Sequence, residues 1–315
     1  MSYRSFALAL CSALTIGASP LFAQEPAAPL EHKTLGPADI IMPHITDSKV
    51  MELPCWKGLN EWACEVTLPT WNVNVDGHVI DLGPTRHVVF LLLAAILVAI
   101  VMIMAARSTV RSTNTIGRPR GFAAGLEAVM LYLRNEVFLP VLGGHGGERY
   151  IPLVLTLFFF ILFCNLFGLI PYGSTPTGNV SVTATLAIIT FIVVEVAGMR
   201  ALGRGYLGTV FYWPHDMPLY LRLPLSIIMT PVEIIGKFTK PFALTIRLFA
   251  NMIAGHVIIL ALIGLIFMFG FAVAIAAIPM ALFIMFLEIL VAFIQAFVFA
   301  LLSAVFIGQI RAAHH

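Results

Sequence analysis

The sequence predicts an all-α integral membrane protein, on two observations. Of its 315 residues, 60% are apolar and only 11% charged, with a mean hydropathy of +0.96. The apolar residues also gather into five long stretches nearly free of charge. Soluble domains carry roughly 25% charged residues, and disordered chains combine low hydrophobicity with high charge. Both classes are excluded.

The elements follow in chain order. Met1 to about Ala23 has Arg4, an apolar run from Phe6 to Ala18 and a small residue at its end, the pattern of a secretory signal; the run is shorter than the roughly 20 residues a bilayer span needs. Residues 24–86 form a polar, Pro-rich segment with nine acidic residues against Lys33, Lys49, Lys57 and Arg86, and are expected to be extracytoplasmic. Cys55 and Cys64 lie here, and in an oxidising compartment they either bridge or remain free thiols. The membrane domain is read as 87–315, with spans at 87–106, 151–170, 180–199, 246–270 and 276–308.

Charge in the connections sets the expected topology. Arg107, Arg111, Arg118, Arg120, Arg134 and Arg149 separate the first two spans, and Arg200, Arg204, Arg222, Lys237 and Lys240 separate the third from the fourth. The connection 171–179 and the turn near 271 carry no basic residue. Basic connections stay cytoplasmic, so the N-terminus is expected outside and the C-terminus inside a bacterial inner membrane. Segments 122–140 and 218–240 mix apolar residues with Glu127, Arg134, Glu136, Arg222, Glu233 and Lys237, and read as amphipathic helices on the cytoplasmic face. Glu233 and Lys237, spaced i, i+4, read as a surface pair on one such helix, and Glu195, close to Arg200, reads as interfacial.

Chemistry concentrates in the last two spans, expected to form a long tilted hairpin. From Leu248 to Ile310 the only ionisable side chains are His256 and Glu288, with Arg247 just before them and Asn251, Gln295 and Gln309 as neutral polar companions. A mid-bilayer Arg costs on the order of 2.5–3.5 kcal/mol on insertion scales. In a hairpin, residues at equal depth share a midpoint: Arg247 with Gln295 gives 271, and His256 with Glu288 gives 272, beside Gly270. The expected result is an Arg/Gln layer and a His/Glu layer, nine residues or roughly 13 Å apart. At about 100° per residue, His256 falls on the helix face opposite Arg247. Arg247 cannot release a proton, so its role is electrostatic and implies a carboxylate from another chain. His256 and Glu288 are able to exchange protons.

The stretch Lys240-Pro-Phe-Ala-Leu-Thr-Ile-Arg247-Leu-Phe-Ala-Asn251-Met-Ile-Ala-Gly255-His256, followed by Glu288 and Ile294-Gln295-Ala296-Phe297, closely resembles subunit a of the F-type ATP synthase over about residues 80–310. The resemblance implies an F0-sector stator beside a ring of c subunits, with peripheral stalk b subunits and the lipid bilayer as its other partners. Two offset half-channels would take protons to and from the ring carboxylate. By position, Arg247 resembles the essential Arg between the half-channels. Asn251, His256, Glu288 and Gln295 resemble the lining of its access path, and Glu233 resembles a carboxylate on the cytoplasmic exit side. Many bacterial relatives carry Glu after the Ala-Gly and His at the later position; here the two are exchanged, as in the mitochondrial subunit.

No phosphate-binding loop and no zinc-type cysteine spacing occurs in the sequence. No cofactor, metal or nucleic-acid partner is therefore expected, and nucleotide chemistry would belong to another chain. Two other classes compete. A self-contained transporter or channel needs internal repeats and a partner for Arg247 within the chain, and a structural scaffold needs no polar layers.

Overall fold

The computed structural model describes residues 47–54, 63–75, 78–81, 83–115, 121–170, 173–211 and 218–312. The signal-like start and Cys55 lie outside them. Four strands lead: β1 (Val50–Pro54) pairs antiparallel with β2 (Ala63–Thr67), and β3 (Asn72–Val75) with β4 (His78–Asp81). Helices follow as α1 (Arg86–Thr115), α2 (Phe122–Tyr132), a π-helical turn (Leu133–Phe138), α3 (Leu139–Leu142), α4 (Gly144–Gly147), α5 (Ile151–Gly168), α6 (Val180–Leu202), α7 (Leu219–Phe269) and α8 (Phe271–Ala312). Short 3-10 turns lie at Glu148–Tyr150, Pro176–Gly178 and Gly203–Thr209.

Five of these helices are long and apolar enough to cross a membrane: α1, α5, α6, α7 and α8. An apolar medium offers the backbone no hydrogen-bonding partner, so each span must satisfy its own amides and carbonyls, as a helix does. One boundary differs from the sequence reading. The segment 218–240 is no separate helix but the first half of α7, which runs 51 residues through Pro224, Pro231 and Pro241. Each proline removes one amide donor, and the remaining ladder carries the helix across. The Thr245 hydroxyl donates to the Pro241 carbonyl at 3.0 Å and the Thr239 hydroxyl to the Ile235 carbonyl at 2.8 Å. α7 ends at Gly270, whose φ of 82° is a left-handed conformation suited to glycine. α8 starts at the next residue.

The chain forms two compact units. One takes the described residues up to Leu92 with Cys164–Thr185 and Phe249–Val291; the other takes Leu93–Phe163, Leu186–Leu248 and the described residues from Ala292 on. In the second unit Phe138, Leu142, Val154, Ile161, Phe299 and Ile307 are fully buried. Ala292, Ala296, Ala300 and Ala304 recur every fourth residue along α8, each 0% exposed. Lipid is as apolar as these side chains, so close backbone approach and dispersion hold such helices together. A Cβ on Gly308 would run into the Val141 carbonyl oxygen. Arg311 completes this corner by donating to the Leu142 carbonyl at 3.1 Å, at the end of α3.

In the first unit the connection between α5 and α6 is not the open loop its polar sequence suggests. Ser174 to Gly178 are buried. The Thr175 and Thr177 hydroxyls lie 2.8 Å apart, and Thr177 donates to Asn165 Oδ1 at 2.7 Å. Ahead of α1, Asp47 Oδ1 lies 2.6 Å from His87 Nδ1, and Asn179 Nδ2 donates to Asp47 Oδ2 at 3.3 Å. Lys49 pairs with Asp81.

Burial pushes the Asp47 carboxyl up, but the hydrogen bonds and charge of His87, with a bond from Thr85, outweigh it and hold it below its usual 3.8. A carboxyl depressed in the folded state stabilises the fold above its unfolded value, and that contribution disappears as pH falls through the folded value. Asp47→Asn should therefore lower the melting temperature at neutral pH, with the gap to wild type closing below pH 3.8. Thermal unfolding across that range measures it, and a gap that widens on acidification would contradict the assignment.

Candidate functional site

α7 and α8 run side by side in the first unit because Gly255 leaves room for it. A Cβ there would lie 2.8 Å from the Glu288 carboxyl carbon, closer than real contacts allow. That space lets His256 Nδ1 come within 3.0 Å of Glu288 Oε1. Glu288 is almost wholly enclosed, its side chain 5% exposed against 20% for His256. Its other oxygen, Oε2, is buried with no hydrogen-bond partner among the described residues. A buried carboxyl oxygen in that position is an acceptor left unmet by the described residues.

Gly168 at the end of α5 plays the same part on the other side of the imidazole. A Cβ on it would sit 3.1 Å from His256 Cε1 and closer still to the Thr175 side chain. The buried Thr175, Thr177 and Asn165 group thus belongs to the surroundings of the His256/Glu288 pair. Sequence reasoning passed over these residues, since small polar groups in a turn look like ordinary loop chemistry.

Arg247 is treated differently. It is exposed on α7, and among the described residues it makes no ion pair and no hydrogen bond. Elsewhere on α7 the apolar Phe238, Phe242 and Ile246 are also exposed, at 62%, 66% and 43%. Gln295, expected in the same layer, is buried at 6% and forms no hydrogen bond with Arg247. The sequence arithmetic therefore fits the His/Glu layer as a contact, whereas no hydrogen bond joins Arg247 and Gln295 among the described residues. Asn251 is half-buried on α7 and Glu233 is exposed.

The i, i+4 pair expected of Glu233 and Lys237 does not form. Lys237 reaches instead to α6, where its Nζ lies 3.3 Å from Glu195 Oε2, and donates to Tyr206 Oη at 3.2 Å and Thr209 Oγ1 at 3.3 Å. An exposed partner one turn away offers little, whereas these three acceptors satisfy all three ammonium protons. Glu195, read as interfacial, is the lysine's partner. Among the described residues no cluster suited to a metal ion occurs.

The sequence profile described as ATP synthase A chain matches residues 88–308. This chain belongs to that family. ATP synthase subunit a of Anaeromyxobacter sp. (strain Fw109-5) is 41% identical over 297 residues, covering 88% of this chain and 71% of that protein. ATP synthase subunit a 2 of Chlorobaculum tepidum is 46% identical over 275 residues, covering 86% and 72%. ATP synthase subunit a of Myxococcus xanthus (strain DK1622) is 42% identical over 290 residues, covering 88% and 90%. Membership of this family, together with five helices able to cross a bilayer, makes the chain a multi-pass membrane protein.

Gly255→Ala should force the Glu288 side chain away and break its bond to His256. We expect the infrared carboxyl band of Glu288, identified by its loss in Glu288→Gln, to shift. The added methyl should also cost about 1–3 kcal/mol through overpacking. An unmoved band would show that the close approach at Gly255 does not set the pair.

Proposed function

We propose that this chain is the proton-conducting stator subunit of an F-type ATP synthase, working against a ring of carboxylate-bearing c subunits and held by peripheral stalk b subunits. The observation that carries this reading is Arg247: an exposed guanidinium without a carboxylate partner among the described residues, on a helix that carries no further ionisable group from Leu248 to Gly255. A fixed cation in an apolar medium needs a counter-charge, and here a neighbouring chain supplies it.

The mechanism follows from what each group is able to do. His256 and Glu288 take a proton from the outer side, Glu288 Oε2 being the oxygen left free by the imidazole, and hand it to a ring carboxylate with Asn251 and Gln295 as polar neighbours. The neutralised carboxyl then moves into lipid as the ring turns. Before it returns it loses its proton toward Glu233 on the inner side. Arg247 stands between the two paths. It holds the ionised ring carboxylate but cannot carry a proton past it, because guanidinium keeps its proton at any accessible pH. The exported front, 24–86, and the membrane domain, 87–315, are part of the same proposal, with the N-terminus outside and the C-terminus cytoplasmic.

Arg247→Ala in an assembled complex should abolish ATP-driven proton pumping, measured by dye quenching in inverted vesicles. Arg247→Lys should fail as well, since a compact ammonium has another reach and lacks the planar fork. Normal pumping by either assembled variant would end this reading.

Orientation has its own test, in a background without Cys55 and Cys64. An impermeant thiol reagent added outside should label Cys at Ser181, which is exposed, and miss Cys at Asn135, exposed on the basic connection between the first two spans. The opposite pattern would invert the topology.

A further inference from the structure

A cavity of about 210 Å³ lies within the second unit, walled by α6, the Gly203–Thr209 turn, α7 and α8. Its charged lining consists of Glu195 from α6 and Glu233, Lys237 and Lys240 from α7; Thr209 and Gln309 add polar groups. The four charges are not equivalent. Lys237 and Glu195 are matched at 3.3 Å, each side chain 16% exposed. The ammonium also lies 4.5 Å from the centre of the Tyr206 ring. Lys240 rests 4.9 Å from the centre of the Phe306 ring. Glu233, unlike the other three, has neither an ion pair, a hydrogen bond nor a ring contact among the described residues.

We infer that Glu195 is a positioning residue for proton passage through this cavity: its carboxylate cancels the Lys237 ammonium, which leaves Glu233 as the lining group free to bind and release protons. The inference rests on Glu233 belonging to the inner path. Lys237 lies one helical turn from Glu233, so an uncancelled ammonium there would repel each arriving proton. With the pair intact the lining carries two cations and two carboxylates and places no net charge in a proton's way. Tyr206 and Thr209 keep Lys237 turned toward Glu195 by occupying its remaining donors. Among the described residues no histidine lines the cavity, so Glu195, Glu233, Lys237, Lys240 and the nearby Tyr206 are the described titratable groups that bear on it.

The test uses the assembled complex in inverted vesicles, with ATP-driven pumping followed against the pH of the compartment facing the cavity and normalised to the amount of complex. Glu195→Gln leaves Lys237 uncancelled and should slow pumping on the order of ten-fold, with the profile displaced toward lower pH. Lys237→Met leaves an extra carboxylate and should displace it toward higher pH. The double variant restores neutrality and should recover wild-type position and a rate within about two-fold, a coupling that additive losses would not produce. If Glu195→Gln fails to assemble, Lys237→Met alone reads the same balance from the opposite side.

An unchanged profile in the single variants overturns the inference, including the case where only the amount of complex falls, as it would for a pair that merely braces α6 against α7. Glu233→Gln and Arg247→Ala run in the same vesicles separate the two levels. If both abolish pumping while the Glu195 and Lys237 variants leave the profile in place, this inference fails and the proposed function stands. If they leave pumping intact, the proposed function fails and takes this inference with it.

Discussion

A charge on a helix surrounded by hydrocarbon is tolerated only where another group meets it, and much of this molecule follows from how that requirement is met. His256 and Glu288 meet each other across α7 and α8 at 3.0 Å. Lys237 on α7 finds Glu195 on α6 at 3.3 Å, with two hydroxyls taking its remaining donors. Arg311 spends a donor on the carbonyl that ends α3. Each solution fixes the register of two elements, because a titratable or charged group without its partner would cost several kcal/mol. Arg247 alone among these groups is given no such solution within the described residues.

Meeting that requirement demands close helix packing, and the packing is supplied by what is missing from certain side chains. Gly255 and Gly168 bracket the His256/Glu288 pair, and a methyl at either place would collide with it or with its neighbours. The four alanines of α8 at 292, 296, 300 and 304 do the same for the second unit's core. Small residues and ionisable residues are therefore two halves of one device: the first let backbones approach, and the second need that approach to find partners. Dispersion across these narrow contacts replaces the hydrophobic drive that lipid removes.

How much of this was legible in the sequence depends on the range of each interaction. The spans were readable because absence of charge over some 20 residues has one physical meaning. The His256/Glu288 contact was readable because helix rise is constant and Gly270 marks the turn, so depth reduces to arithmetic. Lys237 was misread for the opposite reason. Its i, i+4 neighbour Glu233 is visible on the line of sequence, while Glu195 lies 42 positions away, and nothing local says which wins. The segment 218–240 and the span 246–270 read apart because their composition differs, yet α7 runs through both, Pro241 included, because one lost amide bond weighs less than the many that remain. The two hairpins were missed since strands such as Asn72–Val75 are four residues long and sit in a polar, Pro-rich context. The buried connection at 174–178 looked like solvent-facing loop because the hydroxyls of Thr175 and Thr177 satisfy one another, which composition does not reveal.

The order of charges along α7 separates two kinds of work. Lys237 and His256 each have a carboxylate at hand. Glu233 and Arg247 are open, and they differ in kind: a carboxylate trades protons, and a guanidinium does not. Under the proposed function that difference is the mechanism. An open carboxylate beside a cavity passes protons along, while an open guanidinium toward a partner attracts a carboxylate and refuses its proton. Replacing either by the other's chemistry would leave the same number of charges on the helix and remove the asymmetry between its two ends. The fold pairs Lys237 with Glu195 and His256 with Glu288, and under the proposed function it leaves Glu233 and Arg247 to a counter-charge that comes and goes.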